Sequence, residues 1–336
     1  MQRDQDGIAS GKRSQPVQGN LVSEVDTTSG VVTPPEPTLW EPDDSWEHID
    51  VFEAVKKALT ALPYSFATDL VITGVAATDL FSFNTSLGAS IENQVVKALN
   101  EIRPLWDPNQ RYLLYRFVRQ SQRFPDVILR ASDPTLEPNI IMGIELKGWY
   151  ALATESEPSF RYTVTPPVCA PADLLVVFPW ALSSVVSGSP QLFEPYVVGA
   201  RYAAEYRNWH WQYKRNTSAD TEIRLSTSTN HYPVKSDQIA DVPASDSGKN
   251  FGRFARTNLM KPYIDELYRQ ELSGIPLAAW QKFLSLFSED QTEDRINSAL
   301  DRMSKEYAQG KPRLSIEAIE GIKTRLTEIT ALLQSG

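Results

Sequence analysis

At 336 residues, 41% of them hydrophobic, the chain is long enough for one large domain or two small ones with a sizeable core. Its formal charge of −9, from 33 basic against 42 acidic residues, excludes indiscriminate polyanion binding but leaves room for basic groups gathered in one groove. A single cysteine, Cys169, and three scattered histidines (His48, His210 and His231) exclude an internal disulfide and a zinc site of ordinary spacing, so any catalytic metal is expected to be hard and carboxylate-bound.

Residues 1–45 are rich in Gln, Asp, Ser, Thr and Pro and are expected to form a disordered N-terminal arm. Within it, Gly7 to Ser14 is one residue short of a phosphate-binding loop and follows no strand, so it is read as arm. From Asp50 the pattern turns helical, with Phe52, Val55, Leu59 and Leu62 at three- and four-residue steps. A second amphipathic helix is predicted at 87–103, where Ile91, Val95, Ala98, Leu99 and Ile102 share a face and Pro104 closes it.

Three strands are predicted next, at 112–118, 126–130 and 140–149, the last two forming an antiparallel hairpin across the turn-rich 131–139 segment. The run at 174–180 reads as a buried strand in the middle of a sheet, and a helix is predicted at 195–214. Residues 216–250 are polar and read as a loop or insertion, succeeded by helices at 257–272, 276–288, 291–308 and 314–334. The acidic run from Glu289 to Asp294 is read as a solvated turn and helix start. This order predicts an α/β core over 46–215 and an α-helical C-terminal region over 251–336. The polar start, without the apolar run of a signal peptide, and the absence of a long apolar stretch predict a cytoplasmic chain with no membrane span.

Chemistry concentrates in the predicted hairpin. Side chains alternate faces along a strand, so Glu145 and Lys147 share one face while Ile144 and Leu146 take the other. Asp126 begins the preceding strand, and antiparallel pairing brings it beside Glu145. Two carboxylates in an apolar hairpin are costly without a partner; a divalent cation relieves that cost, and Lys147 balances the remaining charge. Such a trio suits phosphodiester hydrolysis, the metal polarising the phosphoryl group and acidifying a water that the ammonium orients or deprotonates.

Pro125-Asp126 with, further along, Glu145-Leu146-Lys147 resembles the motif of the PD-(D/E)xK nuclease superfamily, whose best-known members are restriction endonucleases. The likeness covers about 85–215 and implies a restriction endonuclease-like core, a mixed central sheet flanked by helices. It implies Mg2+ (with Mn2+ able to substitute) held by Asp126 and Glu145, with Lys147 at the attacking water. That family often carries a further acid on a preceding helix, the place Glu92 occupies here. The implied activity is cleavage of double-stranded DNA in restriction or anti-phage defence. A homodimer on a palindromic site and a companion DNA methyltransferase are the partners implied. Two alternatives stay open: a DNA-repair nuclease, and a non-catalytic DNA-binding or interaction protein on the same fold.

Two basic stretches are candidates for DNA contact. Arg201, Arg207, Lys214 and Arg215 interleave with tyrosines and tryptophans, a composition that also suits a subunit interface or core packing. Lys249, Arg253 and Arg256 come after a Ser/Asp-rich loop and could order on phosphates. Glu155 and Glu157 are loop acids near the predicted site, Asp173 is read as a cap before the buried strand, and Cys169 has no histidine nearby to activate it.

Overall fold

The computed structural model describes residues 33–305, apart from 75–76, 154, 216, 218–219, 288–291, 293, 296, 300 and 303–304. Most of the expected arm, the Gly7–Ser14 segment, most of the acidic run and the predicted 314–334 helix lie outside the described residues, as does much of the 291–308 helix. The chain falls into two units, Met1–Glu36 and Pro37–Gly336, and the second carries the sheet and helices. The last part of the expected arm therefore belongs to the main unit, where Glu41 pairs with Lys56 at 2.8 Å.

Helix α1 (Ile49–Ser65) buries Val51, Phe52, Val55, Leu59 and Leu62, the stripe its spacing predicts. Helix α2 (Ala77–Glu101) begins ten residues before the predicted start, and a short α3 (Arg103–Trp106) comes after it. Strands β1 (Tyr115–Arg119), β2 (Val127–Ala131) and β3 (Ile140–Tyr150) form an antiparallel meander. Strand β4 (Leu174–Leu182) runs parallel to β3 and is buried at all nine positions, which explains its unbroken apolar sequence.

The far edge of β4 is shared by two short antiparallel strands, β5 (Pro190–Leu192) and β6 (Tyr196–Gly199). The break between them falls beside Pro179: β6 ends its pairing at Val177–Tyr196, and β5 begins at Trp180–Leu192. Pro179 has no N–H to continue a ladder, and only its carbonyl is used, by the Phe193 N–H at 2.9 Å. The result is a mixed α/β fold with one mixed sheet flanked by helices.

The predicted 195–214 helix is shorter than expected. Residues 196–199 are strand, α4 spans Ala200–Trp209, and a π-helical turn covers His210–Lys214. The 216–250 segment is a loop, as predicted, with only the short pair β7 (Ile223–Arg224) and β8 (Val242–Pro243) among its described residues. Its backbone is tied to the core, the Asp241 N–H bonding the Thr163 carbonyl and the Thr165 N–H bonding that of Ile239, each at 2.8 Å.

Beyond it, the described residues 294–295, 297–299 and 301–302 of the expected 291–308 helix are helical, but the 251–287 stretch is less helical than predicted. It holds a 3-10 turn (Phe254–Thr257), α5 (Lys261–Leu267), a two-stranded β9 (Glu271–Leu272) and β10 (Ile275–Pro276), and α6 (Leu277–Leu284). It packs into the main core: Phe254, Met260, Leu267, Leu277 and Trp280 are buried with the sheet. Among the described residues no helix is long and apolar enough to cross a membrane.

Candidate active site

The β2–β3 register pairs Val127 with Ile144, so Asp126, one residue ahead of β2, lies across from Glu145. The Asp126 N–H donates to Glu145 Oε2 at 3.2 Å, and the Leu146 N–H donates to Asp126 Oδ2 at 3.0 Å. Side chains thus prolong the pairing of the two strands beyond the point where β2 begins. Lys147 Nζ donates to Glu145 Oε1 at 2.7 Å and reaches Asp126 Oδ2 at 3.5 Å. The three predicted residues therefore meet on one face, with both carboxylates sharing one cation.

Burial pushes the Glu145 carboxyl up to about 7, the neighbouring Asp126 adding to the shift and Lys147 opposing it. Burial alone would lower Lys147, but the facing Glu145 and Asp126 outweigh it and hold the ammonium above its ordinary range. Glu92 sits on α2, its carboxylate 4.0 Å from Arg119 of β1. It too is raised, first by burial and then by Asp126, with Lys147 and Arg119 pulling the other way. Glu92 is thus within electrostatic reach of the pair, as its helix position predicts. Arg119, which sequence reasoning missed, is the cation at the strand end; nothing in its local pattern separates it from a solvated strand residue.

Among the described residues no three His, Cys, Asp or Glu side chains gather closely enough to form a metal cluster by themselves. Two adjacent carboxylates nonetheless match what Mg2+ asks of a protein, since it retains waters and completes its shell with phosphate oxygens. The pair also accepts a bridging cation, because the Lys147 ammonium already stands between them.

No family model, curated protein or solved structure matches the chain.

Close backbone approach shapes the site. A Cβ on Gly143 would lie 2.2 Å from Pro125 Cγ and 2.6 Å from Asp173 Oδ1, so only glycine fits there. Asp173 is the predicted cap: its carboxylate accepts the Ala170 N–H at 2.8 Å, the Gly143 N–H and the Tyr232 hydroxyl, and burial pushes it up to about 7. On the opposite face, a Cβ on Gly148 would stand 3.3 Å from the Gly88 Cα of α2, so two glycines let that helix approach β3. Gly143→Ala is expected to cost about 1–3 kcal/mol from overpacking and to lower any metal-dependent activity, because displacing Pro125 moves Asp126. Thermal melting and a cleavage assay check this; an unchanged Tm and rate would show the tight contact to be irrelevant.

The basic candidates divide sharply. Arg207, expected to contact DNA, is 2% exposed and spends all five donors inside the protein. Nη1 bonds the carbonyls of Tyr162 and Val164 at 2.9 and 3.0 Å, Nε bonds Asn208 Oδ1 at 3.0 Å, and Nη2 bonds Asn208 Oδ1 and Asp241 Oδ2 at 2.8 and 2.6 Å. It is a structural group, and the DNA-contact expectation for it is withdrawn. Arg201 is exposed, pairs with Glu205 at 2.9 Å and lies over Trp40; Lys214 lies over Trp209 at 5.1 Å. Arg215 stacks 3.3 Å from Trp211.

Lys249 is exposed, and its carbonyl accepts a bond from Arg161. Arg253 and Arg256 face Glu155 and Glu157, each at 3.5 Å, so those two acids serve this basic segment and not the carboxylate pair. Cys169 is buried, and burial drives its thiol well above the ordinary range, against any nucleophilic role.

Proposed function

We propose that this chain is a Mg2+-dependent endonuclease that hydrolyses phosphodiester bonds in double-stranded DNA on a restriction endonuclease-like core of the PD-(D/E)xK kind. The observation that carries the reading is the convergence of Asp126 and Glu145 across paired strands, with Lys147 2.7 Å from Glu145 and 3.5 Å from Asp126. Glu92 on the preceding helix supports it.

Asp126 and Glu145 are the residues that would hold the metal. When bound, Mg2+ or Mn2+ supplies Lewis acidity toward the phosphoryl group and a more acidic water. Lys147 stays protonated at neutral pH, since the carboxylates hold its ammonium above the ordinary range. Its part is therefore to orient the attacking water by donating a hydrogen bond and to offset charge developing on phosphate, leaving proton removal to another base. Glu92 is the accessory acid beside them.

We place the activity in restriction or another anti-phage role in the cytoplasm, with DNA repair as the alternative. A palindromic target would call for a two-fold dimer, and a companion DNA methyltransferase would separate restriction from repair.

Plasmid and phage DNA incubated with the purified chain and Mg2+, Mn2+ or chelator tests the reading. Nicked or linear product that needs the metal is the expected result. Intact DNA with both metals across substrates would instead favour a non-catalytic DNA-binding or interaction protein. That second reading rests on Lys147, which already compensates both carboxylates without any metal.

Glu145 also dictates a pH profile. Its carboxyl must lose a proton to hold a cation, and burial places that step at about 7. At limiting Mg2+, cleavage is expected to fall about tenfold per pH unit below that point and to level off above it. Raising Mg2+ is expected to move the midpoint to lower pH, because metal and proton compete for one group. Rates measured at two Mg2+ concentrations check this; a profile flat from acid to neutral pH contradicts it.

A further inference from the structure

The π-helical turn after α4, with Arg215 at its end, and the 250–257 segment enclose a cavity of about 180 Å3 whose wall carries more hydrogen-bond donors than the protein uses. His210, Trp211, Arg215, Asn250, Arg253 and Arg256 line it, with Arg207 behind them. No carboxylate is among the described lining residues. Arg215 Nε and Nη2 and Arg253 Nε are buried without a hydrogen-bond partner. A guanidinium is always charged, and buried donors left unpaired are rare enough to need an explanation.

Its neighbours supply no hydrogen bond: Asp246 is within electrostatic reach of Arg215 but spends its carboxylate on the Asn250 and Phe251 N–H groups at 2.6 and 2.9 Å. Arg207 brings charge but no free donor, and Asp241 neutralises it. Arg253 meets Glu155 only through Nη1 at 3.5 Å, and Arg256 meets Glu157 at 3.5 Å; those glutamate side chains are 53% and 39% exposed. Such half-solvated pairs are weak and leave the inward-facing nitrogens unmet. Trp211, 3.3 Å from the Arg215 guanidinium, fixes the plane of that group and so the direction of its donors.

The free donors come from two arginines, with a third alongside. A carboxylate has two oxygens and suits one guanidinium fork; a phosphate monoester has three terminal oxygens and more charge, and can serve several at once. We propose that this cavity is a phosphate-binding pocket, in which Arg215 and Arg253 grip a phosphate monoester and Arg256 flanks it. The pocket shares no residue with the carboxylate site, and the proposal does not depend on the nuclease reading. The monoester is either a small phosphorylated molecule or the terminal phosphate of a nucleic-acid strand.

Inorganic phosphate titrated into the full-length chain in chloride buffer of constant ionic strength tests this by calorimetry and by melting temperature. One phosphate is expected to bind per chain and to raise the Tm. Arg215→Gln and Arg253→Gln are each expected to weaken binding at least about tenfold, the loss of one charge-assisted bond. In phosphate-free buffer both variants are expected to melt close to wild type and not well below it, because the half-solvated Glu155 pair of Arg253 and the Trp211 stack of Arg215 are offset by removal of buried donors that had no partner. A purely structural role predicts the opposite.

No heat and no Tm rise in wild type up to about 10 mM phosphate overturns the proposal, whatever the variants do. Undiminished binding in both folded variants overturns it too. Competition then separates the sources. Nucleoside monophosphates displacing phosphate point to a small molecule, and oligonucleotides that compete only when end-phosphorylated point to a strand terminus. Equal competition by unphosphorylated oligonucleotides overturns the monoester assignment.

Discussion

Lys147→Ala is expected to lower metal-dependent DNA cleavage by about a hundredfold to ten-thousandfold, the range for removing a positioned charge from a reacting centre. The same substitution has a second, independent consequence in the folded protein. Lys147 is the cation that holds Glu145 down against its burial, so removing it moves that carboxyl further above its present value of about 7. That shift sets the direction of the stability change. A group raised in the folded state leaves stability intact below its unfolded value, ordinarily 4.5 for this carboxyl, and loses it as pH rises through the folded one.

Lys147→Ala should therefore melt close to wild type in acid and progressively below it as pH rises past about 7. Added Mg2+ should restore more Tm to the variant than to wild type, because it replaces the missing cation between Asp126 and Glu145. Cleavage assays and melts at several pH values measure both effects. A variant that cuts within tenfold of wild type removes Lys147 from the chemistry. A variant whose Tm deficit is the same at every pH removes the coupling to Glu145.

The site was legible because strand periodicity is local information. Two residues apart on a strand means one face, so Glu145 and Lys147 could be placed together from sequence. The turn-rich segment before β3 made antiparallel pairing with β2 the simple expectation. The continuous apolar run of β4 was equally plain, since burial on both faces writes itself into nine consecutive positions. The elements that could not be read depended on distant partners. Tyr196-Val197-Val198-Gly199 runs straight into α4 and looks like its first turn; it is a strand because β4 has a free edge there, and Pro179 dictates where that edge restarts.

The break between the expected 257–272 and 276–288 helices was readable: Ser273 and Gly274, both at positive φ, form the tight turn there, and a Ser-Gly pair is a turn signal. The interior place of Arg207 was readable but missed. Arg207 lies on the stripe Ala200, Ala203, Ala204, Arg207, the buried face of α4, and that spacing already argues for an interior cation. Composition drew attention to its neighbouring aromatics, whereas periodicity would have assigned it correctly.

Arg207→Ala is accordingly expected to destabilise the protein by about 3–5 kcal/mol, the cost of breaking a buried ion pair from one side. It leaves Asp241, itself 2% exposed, with the Asn208 amide and the Ser226 N–H but without its cation. It also strands the carbonyls of Tyr162 and Val164 and frees the 216–250 loop, which Asp241 pins to α4. For a unit of this size the Tm should fall by on the order of 10 °C. Arg207→Lys keeps the charge but not the five-donor fork, so it should recover only part of the loss. Arg201→Ala and Lys214→Ala, by contrast, alter exposed groups and should move stability by no more than about 0.5 kcal/mol. DNA affinity measured at a temperature where every variant is folded completes the comparison. If Arg207→Ala weakens DNA binding there without lowering the Tm, its side chain faces the ligand and the buried network is not its role.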